Sequence, residues 1–133
     1  MATILIVDDD DKIRTVLEIF LKSRKHSVIS ANNGKSALNL LKKMEQQLPD
    51  LIIMDVMMPE LDGYSATKII RKEITKKVPI IFLTVRDSSN DLVTGFDAGG
   101  NEFMTKPFDY AKLEATINKL LSSPLSQRRI MRY

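Results

Sequence analysis

The segment Ile4-Leu5-Ile6-Val7-Asp8-Asp9-Asp10-Asp11 passes directly from four aliphatic residues to four aspartates. A short, continuous apolar run predicts a strand that is buried on both faces, as in a parallel sheet. The aspartates repel one another, since two like charges about 4 Å apart cost on the order of 4 kcal/mol at an effective dielectric of 20. Packing therefore gives no reason to gather these acids, and their position at a strand end indicates a functional site.

Two other apolar runs also end in a charged residue. Leu51-Ile52-Ile53-Met54 is followed by Asp55, and Phe103-Met104-Thr105 is followed by Lys106. Open α/β sheets place their binding sites beyond the carboxyl ends of the strands. We therefore expect the charges that follow these runs to share one crevice, built to hold a cation and a phosphate.

Strand-like and helix-like patterns alternate five times along the chain, which predicts a parallel sheet with helices on both faces. Strands 1, 3 and 4 are continuously apolar and therefore central, whereas strand 2 is more polar and strand 5 is short. This favours an α/β, doubly wound, five-stranded parallel sheet in the order 2-1-3-4-5 with five helices. The predicted strands are residues 3–7, 27–30, 51–54, 79–83 and 103–105, with helix 4 near 87–98 and helix 5 from about 109.

The composition bounds the class of protein. The chain has 133 residues, 44% of them hydrophobic, which predicts one domain at residues 1–122 and a short basic tail or linker start at residues 123–133. The absence of cysteine excludes disulfides and thiolate metal sites. No apolar run reaches the roughly 20 residues of a membrane helix, and the early first strand leaves no room for a secretory signal. We therefore expect a soluble, cytoplasmic protein.

The net charge of +3 raises the question of nucleic-acid binding. The basic residues are spread over every predicted helix, and the chain lacks the interleaving of aromatic and basic residues that single-strand binders use. Direct nucleic-acid binding by this chain is therefore not expected. The concentrated charge is acidic rather than basic.

Asp8, Asp9 and Asp55 form the predicted acidic crevice, with no sulfur or histidine nearby. Such an all-oxygen site suits Mg²⁺, with Mn²⁺ as an alternative. Lys106 would bring a positive charge to the same edge, and Thr84, at the end of strand 4, a hydroxyl donor. These groups together can stabilise a phosphoryl group in transfer, and Asp55 could itself be the nucleophile, giving an aspartyl phosphate.

Three other residues are interpreted structurally. Asp10 and Asp11 suit the first turn of helix 1, where negative charge stabilises the helix dipole. His26 is the only histidine and precedes strand 2, at the opposite end from the crevice. It is therefore interpreted as a structural residue.

The segments ILIVDDDDKIR, PDLIIMDVMMPELDG, PIIFLT and FMTKPF resemble the receiver domain of two-component response regulators, which has a flavodoxin-like, CheY-like fold. The resemblance covers residues 2–122 in order. By position it implies that Asp55 is the phospho-acceptor and that Asp8, Asp9, Asp55 and the backbone carbonyl of Met57 bind Mg²⁺. It also implies that Thr84 and Lys106 contact the phosphoryl oxygens and that Thr84 and Phe103 are the switch residues. The Lys106-Pro107 peptide bond would be cis.

The same resemblance implies the partners. The donor would be a sensor histidine kinase or a histidine phosphotransfer protein. A downstream protein, or an output domain missing from this chain, would bind the face formed by helix 4, strand 5 and helix 5. The chain would then be a signalling domain that assists only its own phosphorylation and dephosphorylation, not an enzyme.

Two alternatives stay open at this point. One is a pseudo-receiver that binds partners without phosphorylation, although its acidic set is complete. The other is an aspartate-nucleophile phosphatase of the haloacid dehalogenase type, which would leave Asp55 without a role.

Val85 departs from the family pattern, which usually has a small residue after the threonine, and we expect it to slow phosphotransfer. Met57 and Arg86 occupy variable positions that could tune hydrolysis.

Overall fold

Five parallel strands form one sheet: β1 (Thr3–Val7), β2 (Ser27–Ala31), β3 (Leu51–Asp55), β4 (Ile80–Thr84) and β5 (Glu102–Thr105). Their order, β2-β1-β3-β4-β5, confirms the predicted fold class and topology. The helices are α1 (Asp11–Ser23), α2 (Gly34–Lys43), α3 (Gly63–Glu73), α4 (Ser89–Ala98) and α5 (Tyr110–Leu121). The structure is a computed structural model that describes residues 2–85 and 89–122.

Some element boundaries differ from the predicted ones. β3 includes Asp55 and β4 extends to Thr84, so both of these predicted site residues are the last residues of their strands. β4 begins at Ile80, one residue later than predicted, because Pro79 has no N–H to donate to a neighbouring strand. Helix α4 begins at Ser89, and residues 86–88 lie outside the described residues.

Alternate residues of the central strands enter two separate hydrophobic cores. In β1, Ile4 and Ile6 pack in the core that contains α1 and α5, whereas Leu5 and Val7 pack in the core that contains α2 and α3. The same alternation continues through β3 and β4, every residue of which is buried. The two faces of the sheet therefore rest on different helices, as side chains that alternate along a strand require.

Aspartate side chains cap the N-termini of three helices. The Asp10 carboxylate accepts hydrogen bonds from the backbone N–H groups of Lys12 (2.8 Å) and Ile13 (3.3 Å), so Asp10 is the N-cap of α1 and Asp11 stands in its first turn. The predicted position of Asp10 was thus one residue too far into the helix. Asp62 and Asp109 cap α3 and α5 in the same way.

The N-terminal edge of the sheet holds His26. Its Nδ1 atom accepts a hydrogen bond from the backbone N–H of Ala2 at 3.2 Å, and burial lowers the pKa of the imidazole from its usual value. This contact fits the predicted structural role. Among the residues that the structure describes, no helix combines the length and apolar character that crossing a membrane would need.

Gly63 lets the first turn of α3 approach the end of β3. A Cβ atom at this position would lie 2.3 Å from the backbone oxygen of Asp55, a backbone atom that cannot swing aside. The Gly63 N–H also donates to the backbone oxygen of Val56 at 2.9 Å. Glycine is therefore required here by space, and it fixes the backbone next to Asp55.

We expect Gly63→Ala to destabilise the protein by about 2 kcal/mol, because an added methyl group would force α3 away from β3. The free energy of unfolding, measured by urea denaturation, tests this. Lys68→Ala, on an exposed position of the same helix, is the matched control and should change stability little. Equal stability of Gly63→Ala and the native chain would contradict the close packing.

Candidate functional site

The acidic crevice lies where two neighbouring strands end. Asp8 directly follows β1 and Asp55 is the last residue of β3, and these strands pair in parallel with Val7 opposite Met54. Carboxylate oxygens of Asp8, Asp9 and Asp55 all lie within 4.8 Å of one another. Asp8 and Asp55 are buried, whereas Asp9 is exposed. The fold therefore gathers the three predicted acids at the switch point of the sheet.

Lys106 lies between the two buried carboxylates. Its Nζ atom is 3.1 Å from Oδ2 of Asp8 and 3.0 Å from Oδ1 of Asp55, and its side chain is only 17% exposed. The Lys106 backbone N–H donates to the Thr84 carbonyl at 2.8 Å, which ties the end of β5 to the end of β4. The Lys106-Pro107 peptide bond is cis, which confirms that expectation.

The electrostatics of Asp55 differ from those of an ordinary surface aspartate. Burial and the nearby charges of Asp8 and Asp9 raise the pKa of Asp55 to about 6, although Lys106 opposes the shift. Burial alone would lower the pKa of Lys106, but its hydrogen bonds and charge interactions with Asp55 and Asp8 raise it above its usual value. Lys106 is therefore a charged ammonium, and it only partly neutralises the crevice.

The donor set fits a hard divalent cation. The clustered ligand atoms are carboxylate oxygens from three residues, and the excess of negative charge is concentrated in a buried crevice. Mg²⁺ binds such oxygens through one or two carboxylates and keeps several waters. Met57 stands two residues after Asp55 and its side chain is 52% exposed. A role for its backbone carbonyl as a further ligand stays a prediction.

Thr84 and Phe103 lie on the neighbouring strands β4 and β5. Thr84 is 1% exposed, and it stands opposite Thr105 in the pairing of β4 with β5. The Phe103 ring packs 5.3 Å from the ring of Phe82 and 5.4 Å from that of Phe96, centroid to centroid. Phe103 thus belongs to an aromatic cluster, and its switch role stays a prediction.

The residues in this aromatic cluster touch α4 closely. A Cβ atom on Gly95 would lie 2.1 Å from Cζ of Phe103, so the ring rests directly on the helix backbone. Tyr64 follows Gly63 in α3, and its hydroxyl donates a hydrogen bond to the backbone oxygen of Asp91 in α4 at 3.2 Å. Sequence reasoning missed both contacts, since a lone tyrosine and a lone glycine in helices give no specific signal.

Arg14 is a further residue that the sequence reasoning missed. Its Nη1 atom donates to the backbone oxygen of Asp8 at 2.7 Å. Its only signal in the sequence is its position six residues after Asp8, a spacing that α1 brings back to the crevice. Arg86 and residues 123–133, to which the predictions assigned a tuning role and a tail or linker, lie outside the described residues.

The fold and the crevice together define a flavodoxin-like α/β protein with an acidic site at its switch point. The chain belongs to the response regulator receiver domain family, whose pattern matches residues 4–118. This confirms the resemblance stated above. Members of this family are receivers of two-component systems, signalling domains rather than typical enzymes, that interact with histidine kinases. The phosphatase alternative is therefore wrong.

Individual relatives support the same assignment. The chain is 40% identical over 121 residues to the transcriptional regulatory protein AfsQ1 of Streptomyces coelicolor, covering 91% of this chain and 52% of that protein. The alkaline phosphatase synthesis transcriptional regulatory protein PhoP of Bacillus subtilis is 40% identical over 118 residues, covering 89% of this chain and 48% of that protein. The chain thus spans about half of the length of both relatives.

Solved structures agree in fold. A putative response regulator from Chloroflexus aurantiacus superposes with a TM-score of 0.82 at 36% identity, covering 91% of this chain and 98% of that one. The receiver domain of a sensor histidine kinase from Pseudomonas aeruginosa gives a TM-score of 0.79 at 36% identity, covering 92% and 98%. That structure has a magnesium ion coordinated in its active-site cleft.

Proposed function

We propose that this chain accepts a phosphoryl group on Asp55 from a phosphohistidine of a sensor kinase or phosphotransfer protein, with Mg²⁺ bound in the crevice. The observation that supports this most directly is the buried Asp55 carboxylate, which Lys106 contacts at 3.0 Å and which shares the crevice with Asp8 and Asp9. A nucleophile, a cation site and a fixed positive charge are the parts that phosphoryl transfer needs.

The transfer is a substitution at phosphorus. A carboxylate oxygen of Asp55 forms the new P–O bond while the P–N bond to the donor imidazole breaks, and the departing ring nitrogen regains a proton. Asp55 must be ionised to attack, which its pKa of about 6 allows at neutral pH. Lys106 is positioned to stabilise the negative charge of the transferring oxygens. Mg²⁺, held by Asp8, Asp9, Asp55 and the Met57 carbonyl, would neutralise phosphoryl charge.

The proposed output is a change in the face formed by α4, β5 and α5. A phosphoryl group adds roughly two negative charges and three acceptor oxygens at Asp55. The Thr84 hydroxyl and the Lys106 ammonium would contact these oxygens, and Phe103 would repack against α4. Because the curated relatives are about twice as long as this chain, the partner of this face would be a downstream protein or an output domain.

Incubation with acetyl phosphate and Mg²⁺ tests this function. We expect the mass of one phosphoryl group to be added to Asp55, in a form that is stable in acid and labile in base. Chelating the metal with EDTA should prevent the addition. A chain that gains no phosphate under these conditions would be a pseudo-receiver, and one that releases phosphate catalytically without modification of Asp55 would contradict the proposal.

The surface next to the crevice suits a phosphodonor. Val16, Ile19, Phe20 and Tyr110 line an apolar cavity of about 360 Å³ between α1 and the start of α5. A second apolar cavity, of about 490 Å³, continues from Val16 and Tyr110 to Lys106. A donor histidine must come within bonding distance of Asp55, so a helix that presents it has to cover the surface around Lys106. We propose that the donor helix packs on these residues.

Ile19→Ser is expected to slow phosphotransfer from a kinase about tenfold, because Ile19 is 65% exposed and offers apolar area at a docking surface. The probe is the phosphorylated sensor kinase of the same organism that transfers fastest to the native chain. Phosphorylation by acetyl phosphate should not change. Val93→Ser, at a residue that is 58% exposed but lies on α4, is the control, and an equal loss in both variants would exclude this surface.

Val85→Ala is expected to speed both phosphorylation by acetyl phosphate and hydrolysis of the aspartyl phosphate. Val85 directly follows Thr84, the last residue of β4, and is 69% exposed, and we infer from this position that its branched side chain borders the approach to the crevice. The two rates can be measured by mass spectrometry during loading and after removal of the donor. Unchanged rates would show that the Val85 side chain does not slow phosphorylation or hydrolysis.

A further inference from the structure

Arg14 connects helix α1 to the acidic crevice. Its side chain extends back towards the end of β1, where Nη1 donates to the backbone oxygen of Asp8 at 2.7 Å. Nη2 contacts the carboxylate of Asp11 in an ion pair. The Arg14 side chain is 19% exposed, whereas that of Asp11 is 87% exposed. One guanidinium thus contacts both ends of the turn formed by Asp8, Asp9, Asp10 and Asp11.

Every polar atom of Asp8 takes part in a hydrogen bond. Its backbone N–H donates to the Ala31 carbonyl at 3.2 Å, Oδ1 accepts from the Asp10 backbone N–H at 2.9 Å, and Oδ2 accepts from Lys106 at 3.1 Å. Arg14 supplies the contact to the fourth group, the backbone oxygen. Because Asp8 is completely buried, losing that contact would leave a buried carbonyl to find another donor.

The charge of Arg14 and its contacts should affect cation binding in opposite directions. A positive charge beside the crevice repels a divalent cation, so charge alone predicts tighter metal binding when Arg14 is removed. The contacts order the turn that presents Asp8 and Asp9, so positioning predicts weaker binding when they are lost. The sign of the change therefore distinguishes the two effects.

We propose that Arg14 is a positioning residue for the cation site. Its guanidinium fixes the turn from Asp8 to Asp11, so that the carboxylates of Asp8 and Asp9 stay within reach of Asp55. The proposal rests on the function proposed above for its metal, but the ordering of the turn by Arg14 does not need the metal. An outer residue that orients metal ligands typically contributes tenfold or more to metal affinity.

Calorimetric titration with MgCl₂ compares the native chain, Arg14→Met, Arg14→Lys and Lys12→Met. Arg14→Met should weaken Mg²⁺ binding about tenfold. Arg14→Lys should also weaken it, because an ammonium cannot reproduce the planar two-armed contact. Lys12→Met removes the same charge from an exposed position of the same helix and should leave the affinity equal or slightly higher. Arg14→Met that binds Mg²⁺ as tightly as the native chain, or more tightly, would overturn the proposal.

A second measurement does not depend on the metal. In EDTA, amide hydrogen exchange at Asp9 and Asp10 should be faster in Arg14→Met than in the native chain, while the strand amides of β3 keep their protection and report intact folding. Unchanged exchange at the turn would overturn the positioning role. If the native chain binds no Mg²⁺ but Arg14→Met still loosens the turn, the metal function fails and the positioning role stands.

Discussion

Asp55→Asn is expected to abolish phosphorylation by acetyl phosphate completely, because an amide oxygen has no charge with which to attack phosphorus. In EDTA at pH 7.5 the same change should stabilise the fold by about 3 kcal/mol, since it removes a buried charge that the crevice disfavours. Mass spectrometry and urea denaturation measure the two effects. Loss of a functional residue with a gain in stability is characteristic of a strained site.

The pH dependence of this gain follows from the raised pKa of Asp55. The folded carboxyl titrates near pH 6, about two units above its unfolded value. Between these pH values the folded state binds more protons than the unfolded state, so native stability falls as pH rises from about 4 to about 6 and is then constant. The advantage of Asp55→Asn should therefore vanish near pH 4.

Asp97→Asn is the matched control for this prediction, since Asp97 is an exposed carboxylate on α4. It should keep full phosphorylation and differ little from the native chain in stability. Phosphate found on Asp55→Asn at the native level would mean that another residue is the acceptor. Equal stability of Asp55→Asn and the native chain at pH 7.5 would mean that the crevice does not disfavour the charge.

Lys106→Met is expected to destabilise the protein by about 3 kcal/mol at pH 8 in EDTA, because two buried carboxylates would then face each other without their ammonium. Lys106 contacts Asp8 at 3.1 Å and Asp55 at 3.0 Å. Protonation of Asp55 relieves the repulsion, so the loss should be smaller at pH 5. Millimolar Mg²⁺ should also restore much of the stability at pH 8, because it supplies positive charge to the same carboxylates.

Lys119→Met is the matched control for Lys106→Met, because it removes a lysine that forms a similarly short ion pair at the surface. Lys119 lies 2.7 Å from Glu102, but its side chain is 65% exposed, and an exposed pair of this kind contributes at most about 1 kcal/mol. Unfolding curves of both variants at pH 5 and pH 8 complete the comparison. The proposed role of Lys106 in balancing the crevice charge would be refuted by either of two results. In one, Lys106→Met lowers the free energy of unfolding no more than Lys119→Met does; in the other, it lowers it by the same amount at both pH values.

The fold and the acidic crevice were predictable because they depend on short-range patterns with one physical solution. An apolar run as short as residues 4–7 favours a buried strand over a helix, and parallel strands bring Asp8 and Asp55 to one edge. The order of the strands followed from which runs were apolar throughout. Lys106 was predictable for the same reason, since it directly follows the last strand.

Other features depend on side-chain reach, which the sequence pattern does not encode. Arg14 is one of several basic residues in the helices, and only the turn between β1 and α1 decides that it reaches the Asp8 carbonyl. The place of Gly63 is likewise set by contact, because the backbone oxygen of Asp55 lies directly behind it. Phe103 packs among Tyr64, Phe82 and Phe96, contacts made by three different elements.

The alternation of the strands has a consequence for how such a domain can diversify. In the alternation along the strands, Asp55 and Lys106 stand two residues after Ile53 and Met104, which pack with α1 and α5, whereas Phe103 packs in the layer with α2 and α3. Under the proposed function, the donor surface on α1 and the packing of Phe103 against α4 lie on opposite sides of one sheet, whereas α5 contributes to both the donor surface and the output face. Substitutions on α1 could therefore change the choice of phosphodonor while the packing of Phe103 against α4 stays intact.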